Sequence, residues 1–219
     1  MLQGASRRHK RGDDRHVSRE PIAITDRSSG ETVEAILDTD VALVRLVDAE
    51  VVWSPYRLEA IRRFLLAGCS GSLPQHSHWS WANKALSFDH AMHRVLAIEA
   101  ADEVQGLMWI WLRDHVARLA PDAAQPIVYV DYLEAAPWNA RDYTAKPRYR
   151  GVGTQLLRAA VIQSQEAGYS GRLGLHALPQ SEDFYAGACG MVNVGIDATY
   201  HDLTYFEFTA KAATEFVDG

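Results

Sequence analysis

Apolar positions recur along the chain with two periods, and the switches between them lay out the elements. Over residues 152–167, Val152, Leu156, Leu157, Ala160, Val161 and Ser164 share one face, while Gln155, Arg158, Gln165 and Glu166 fall largely elsewhere. That is helical spacing. Gly168, just past the last periodic residue, suits a left-handed C-terminal cap. Strand-like runs occupy 94–100 and 106–112, a hairpin around Asp102-Glu103 with Trp109 and Trp111 on one side, and then 127–135, 172–176, 192–196 and 203–209. Upstream, strands are predicted at 22–25, 32–37 and 41–47, separated by the turn formers Ser28-Ser29-Gly30 and Asp38-Thr39-Asp40. Ser54-Pro55 reads as an N-cap with proline in the first turn, opening a helix through Leu58, Ile61, Phe64 and Leu65 that ends near Gly68. A short helix is predicted at 181–188. Strands and a helix, a hairpin, then strand, helix, strand, helix and two strands make an α/β sheet covered by helices.

Residues 70–89 begin as a Ser/Gly/Pro loop and pass into Gln75-His76-Ser77-His78-Trp79-Ser80-Trp81. His76 and His78 alternate as in a strand, but no third ligand lies at metal-site spacing, so no metal is expected. Trp79 and Trp81 are either packing residues or walls of a substrate site. Residues 1–19 are charged and poor in large apolar groups, which predicts a flexible basic tail ahead of a single domain over 20–219.

The 219 residues are 47% hydrophobic and 23% charged, enough to bury one sizeable core. A formal net charge of -6 argues against a nucleic-acid-holding surface. Cys69 and Cys189 show neither a disulfide framework nor a zinc spacing and fit a reducing compartment. No apolar run reaches membrane-span length, so the cytoplasm is the expected location and no membrane partner is expected.

The candidate chemistry centres on Arg148-Tyr149-Arg150-Gly151-Val152-Gly153, with Thr154 following. An R-x-x-G-x-G hexapeptide between a strand-like segment and a helix makes an anion cradle. Glycines let backbone N–H groups converge on a phosphate, the helix N-terminus adds partial positive charge, and two arginines add full charges.

That hexapeptide, the strand Val130-Asp131-Tyr132-Leu133-Glu134-Ala135-Ala136-Pro137, and Phe184-Tyr185 with Cys189-Gly190-Met191 together resemble the GNAT superfamily of acyl-CoA-dependent N-acyltransferases over roughly residues 94–209. The resemblance implies a mixed, twisted central sheet flanked by helices and splayed between its two central strands. It further implies acetyl-CoA as co-substrate in the opening. Backbone groups near Leu133 and Ala135 would pair with the pantetheine arm, and the amides of Arg150, Gly151, Val152, Gly153 and Thr154 would hold the pyrophosphate, with Arg148, Tyr149, Ser181 and Phe184 alongside. Three departures stand out. The segment 138–147 is longer than usual and could serve as a flap; Leu178 stands where an asparagine is common; and Gly190 falls one residue late after Tyr185.

Acyl transfer to an amine needs a base, an oxyanion donor and a proton source for the thiolate. Glu134 is the candidate base, directly or through water, with Asp131 in reserve. Simple alternation puts these two on opposite strand faces unless a bulge intervenes. The resemblance makes Tyr185 the acid, a backbone N–H near residues 133–136 would polarise the carbonyl, and His176 is either an assisting base or structural. The expected activity is N-acetylation of a primary amine on a small molecule, peptide or protein. Acetylation of aminoacylated RNA and a non-catalytic acyl-CoA-binding module are the alternatives, and a homodimer stays open. In the family, the acceptor is chosen by the segments that here carry Trp79, Trp81, Trp138 and Tyr143.

Overall fold

A computed structural model describes residues 18–68 and 73–219. Most of the tail expected over 1–19, and Cys69, lie outside the described residues. Among the described residues nine strands form one sheet: β1 (Arg19–Asp26), β2 (Thr32–Asp38), β3 (His93–Ala100), β4 (Glu103–Trp111), β5 (Val128–Ala135), β6 (Tyr149–Arg150), β7 (Leu173–Ala177), β8 (Val192–Asp197) and β9 (Leu203–Phe208). Their order is β6-β1-β2-β3-β4-β5-β7-β9-β8. Every pairing is antiparallel except β5 with β7, which is parallel.

Helices cover both faces. Along β3, Leu96 and Ile98 point into one core and Val95 and Ala97 into the other, as a period-two strand between two layers requires. The first core is closed by α3 (Val152–Glu166) and α4 (Ala210–Asp218), the second by α1 (Val44–Leu66) and α2 (Trp81–Ala85). The face predicted for α3 is the buried one, with Ala159 added. Its close seating depends on Gly106 of β4, where a Cβ would fall 2.5 Å from Val152 Cγ1.

Several elements differ from the sequence expectation. The apolar run over 41–47 is not a strand: α1 starts at Val44 and buries Leu46, Ala49, Trp53 and Arg57, which is helical spacing. Pro55 therefore lies inside the helix and not in its first turn. Ser54 does not cap it; its hydroxyl donates to Glu50 Oε1 at 2.6 Å. His76 and His78 lie in a 3₁₀ turn (Gln75–His78), not in a strand. Within the expected loop, Ser80 caps α2 by accepting from the Asn83 N–H at 3.2 Å. The helix expected over 181–188 is a 3₁₀ turn (Pro179–Ser181) followed by one π-helical turn (Phe184–Ala188). That wider turn absorbs the extra residue before Gly190, which takes φ +71° beyond it. Helix α4, capped by Thr209, has no counterpart in the elements expected from sequence.

Candidate active site

The site begins where two strands part. β5 and β7 pair only at Val128, Val130 and the residue between them against Leu173, Gly174 and Leu175. Beyond, the β7-facing edge of β5 from Asp131 to Ala135 has no strand partner among the described residues, so its peptide groups can bond an amide-bearing ligand. Val130, Leu133, Leu175, Leu178, Ser181 and Tyr185 line the resulting cleft, with Trp79, Asp131 and His176.

The N-terminus of α3 lies beside this opening. Gly151 takes φ +96°, a left-handed conformation that aims the chain into the helix. The first intrahelical bond runs from the Gln155 N–H to the Gly151 carbonyl, at 2.9 Å. The N–H groups of Val152, Gly153 and Thr154 thus precede the ladder and are available to an anion. A Cβ on Gly153 would fall 3.1 Å from the Phe184 ring and 3.8 Å from the Leu133 side chain. Glycine at that place brings the cradle, Phe184 and the open β5 edge together. The two arginines of the motif diverge. Arg150 is exposed and makes no ion pair among the described residues. Arg148 is turned to the β3–β4 turn, 2.7 Å from Glu103 and over the Trp138 ring. Tyr149 is buried, and its N–H donates to Asn139 Oδ1 at 3.0 Å.

A bulge rearranges the middle of β5. Tyr132 lies opposite Trp109 and Val130 opposite Ile110, which leaves Asp131 as an extra residue. Asp131, Tyr132 and Glu134 consequently share the α1 face. The Asp131 carboxylate accepts from Trp111 Nε1 and from the Tyr200 hydroxyl, both at 3.3 Å. Tyr132 packs edge-on against Trp79, centroids 5.0 Å apart. Glu134 is 3% exposed; Oε2 accepts from Trp81 Nε1 at 2.7 Å, and Oε1 has no partner among the described residues. Burial, reinforced by the Glu50 charge, raises this carboxyl to about 7, against the opposing effects of Arg57, the Trp81 bond and Lys84.

What holds the lid of this pocket is an ion pair that sequence periodicity does not reveal. Glu50 and Arg57, one face of α1, pair through both carboxylate oxygens at 3.0 and 3.1 Å, and Arg57 is 4% exposed. Arg57 also donates to the Trp79 carbonyl, and Glu50 Oε2 accepts from the Trp81 N–H at 2.8 Å. The segment bearing Trp79, Trp81 and Lys84 is thereby fixed over β5. Their spacing of seven residues on a helix is the one signal in the chain that could have suggested this pair.

On the far side, Tyr185 is buried in the π turn, its hydroxyl unpaired among the described residues and its pKa raised by burial. His176 is committed at both nitrogens, to the Tyr129 hydroxyl at 2.8 Å and to Asp197 at 3.1 Å. It is stacked on Tyr200, which leaves it a positioning group for the cleft wall. The long 138–147 segment is anchored over the α1 face: Trp138 Nε1 donates to Gln105 Oε1 at 2.8 Å, and Tyr143 packs on His76. Among the described residues no three His, Cys, Asp or Glu side chains gather into a metal-holding group, and no helix is long and apolar enough to cross a membrane.

Neither a protein-family sequence model nor a curated protein sequence matches the chain. Solved structures do. The GNAT domain of S. lividans PAT superposes with a TM-score of 0.51 at 16% identity, covering 87% of this chain and 96% of that one. An uncharacterised protein from Bacillus halodurans gives 0.55 at 10% identity, over 90% and 94%. RimJ of Mycobacterium smegmatis, solved in complex with CoA-disulfide, gives 0.49 at 13% identity, over 90% and 93%. Identities this low speak for fold alone. A mixed sheet of this order, parted between its two parallel strands, with a helix N-terminus at the parting, gives this chain the fold of the GNAT superfamily.

Proposed function

We propose that the protein is an N-acetyltransferase that passes an acetyl group from acetyl-CoA to a primary amine by direct transfer. The observation that carries this reading is the parting of β5 from β7 beside the N-terminus of α3, with Tyr185 in its wall and Glu134 buried on the parted stretch of β5. Acetyl-CoA, when bound, supplies the activated thioester. The residues present fit such a ligand: free N–H groups at Val152, Gly153 and Thr154 for a pyrophosphate, and an unpaired β5 edge for a pantetheine amide.

In this reading the residues divide the work. Glu134, ionised above about pH 7, receives the proton of the acceptor ammonium. Its unpartnered Oε1 is the receiving atom, through a water because the side chain is buried. A backbone N–H on the open edge of β5 polarises the carbonyl. Tyr185 donates its hydroxyl proton to the departing thiolate; burial keeps the phenol protonated until that charge develops. Trp79 lines the cleft on the acceptor side, with its ring edge-on to Tyr132.

The test is calorimetric titration of acetyl-CoA into the wild type and Arg150→Glu, followed by thiol release with a panel of primary amines. Arg150 is exposed on the edge strand, so the inverted charge opposes a pyrophosphate without straining Gly151. Weakened binding in the folded variant and amine-dependent thiol release by the wild type are expected. Absence of acetyl-CoA binding by folded wild type would remove the reading.

A further inference from the structure

Lys84 occupies a setting unlike that of any exposed lysine. It projects from α2 over the bulge of β5. Its Nζ lies 3.1 Å from the Tyr132 ring centroid, 4.6 Å from that of Trp79 and 6.0 Å from that of Trp81. Of the groups around it, Trp79, whose ring centroid lies 4.6 Å from Nζ, and Asp131 line the cleft between β5 and β7. Four charged groups act on it: Asp131, Glu134 and Glu50 favour the ammonium, and Arg57 opposes it. Burial lowers the ammonium to about 8, so a substantial fraction is the nucleophilic free amine in mildly alkaline buffer. The chain has four lysines, and the other three are Lys10, Lys146 and Lys211.

We infer that Lys84 is itself an acetyl acceptor, a self-modification site held on the amine side of the cleft by the rings of Tyr132, Trp79 and Trp81. The inference rests on the acyltransferase reading above. The Lys84 Nζ lone pair forms the bond to the carbonyl carbon, and the proton released from nitrogen passes to Glu134. The carbon–sulfur bond breaks, its electron pair leaves with sulfur, and Tyr185 protonates the thiolate and regains a proton from solvent. The neutral amide that results ends the cation–π contacts and discharges the lysine facing Asp131 and Glu134. Modified protein would thus present a neutral amide beside Trp79 to any external amine.

The experiment incubates the full-length protein with acetyl-CoA and follows each lysine by peptide mass spectrometry, with Lys146 and Lys211 as internal controls. Lys84 is expected to gain its acetyl group at least about tenfold faster than either, at a rate independent of protein concentration, as an intramolecular step requires. A parallel incubation with N-acetylimidazole, a neutral donor without a phosphate for the cradle, reports intrinsic reactivity alone. Arg150→Glu should slow Lys84 acetylation from acetyl-CoA and leave that from N-acetylimidazole unchanged. If the wild type binds acetyl-CoA and acetylates external amines while Lys84 reacts no faster than Lys211, self-acetylation is wrong and the acyltransferase reading stands. Equal slowing, or none, with both reagents in Arg150→Glu also overturns it. Failure to bind acetyl-CoA removes both.

Discussion

Replacing Glu134 by glutamine should stabilise the protein while disabling it, and the gain should depend on pH. Glu134 is almost fully buried, and its carboxyl is raised from 4.5 to about 7, mainly by that burial. At about 1.4 kcal/mol per pH unit, such a rise corresponds to about 3 kcal/mol of folding free energy. The sign follows from proton binding. Below pH 4.5 the carboxyl is protonated whether the chain is folded or not, so the ionisation penalty is absent. Between 4.5 and about 7 the unfolded chain releases the proton while the folded chain retains it, and stability falls. Above about 7 both states are ionised and the full penalty applies. Glutamine imitates the protonated form at every pH and can still accept from Trp81 Nε1, although its amide NH₂ replaces the unpartnered Oε1 at a cost of about 1 kcal/mol. Urea denaturation of both proteins at pH 5 and pH 8 measures the difference. The advantage of Glu134→Gln over wild type should be about 2 kcal/mol larger at pH 8 than at pH 5. A gain equal at both values, or a variant less stable at pH 8, would refute the assignment of a strained, buried carboxyl.

Tyr185→Phe should lower turnover by about 10²-fold with acetyl-CoA affinity unchanged, since only the hydroxyl is lost; equal turnover in stopped-flow thiol detection would remove the acid role. Gly106→Ala places a Cβ 2.5 Å from Val152 Cγ1 and should cost about 1–3 kcal/mol by overpacking, a loss relieved when Val152→Ala is added in a double-mutant cycle. Gly151→Ala has open space around its Cβ but keeps φ +96°, so its cost of about 1–2 kcal/mol should show no such relief. Asp131→Asn removes an anion that favours the Lys84 ammonium, so the Lys84 resonance of dimethylated protein should titrate at lower pH than in wild type; an unmoved midpoint would show that the two groups do not act on each other.

The parts of the fold legible in sequence are those where one period dominates. The buried face of α3 and the strands β3, β4, β5, β7 and β9 are of this kind, because each is largely buried and must present apolar groups at fixed spacing. Val41 to Val47 failed the same reasoning. A short apolar run satisfies both periods, and what decides for helix is tertiary: Leu46, Ala49 and Trp53 need a partner surface, which β3 and β4 supply through Val95, Leu107 and Trp109. Pro55 misled as well. Its missing N–H is tolerated on the exposed side of α1, and the serine before it bonds Glu50 and caps nothing.

Within the site, the cradle was legible because glycine at a strand-to-helix junction has a local cause, whereas the acceptor side was not, because it is assembled across the chain. The bulge at Asp131 is the decisive case. Without it, Tyr132 and Glu134 would face α1 while Asp131 faced α3, and a lysine on α2 would meet a single carboxylate. One additional residue in β5 puts Asp131 on the same side, where Trp111 and Tyr200 hold it. Nothing in the local sequence of β5 demands the insertion; it is fixed by pairing with β4, whose Trp109 and Ile110 keep Tyr132 and Val130 opposite them. The same bulge lies where β5 leaves β7, since the last parallel pair is Val130 with Leu175. A bulge sharpens the local twist of its strand and breaks the regular ladder. One insertion thus accounts both for the opening that admits an extended ligand and for the pair of carboxylates that meets an amine there. Opening and charge are joined in a single backbone irregularity, and a change that regularised β5 should remove both together.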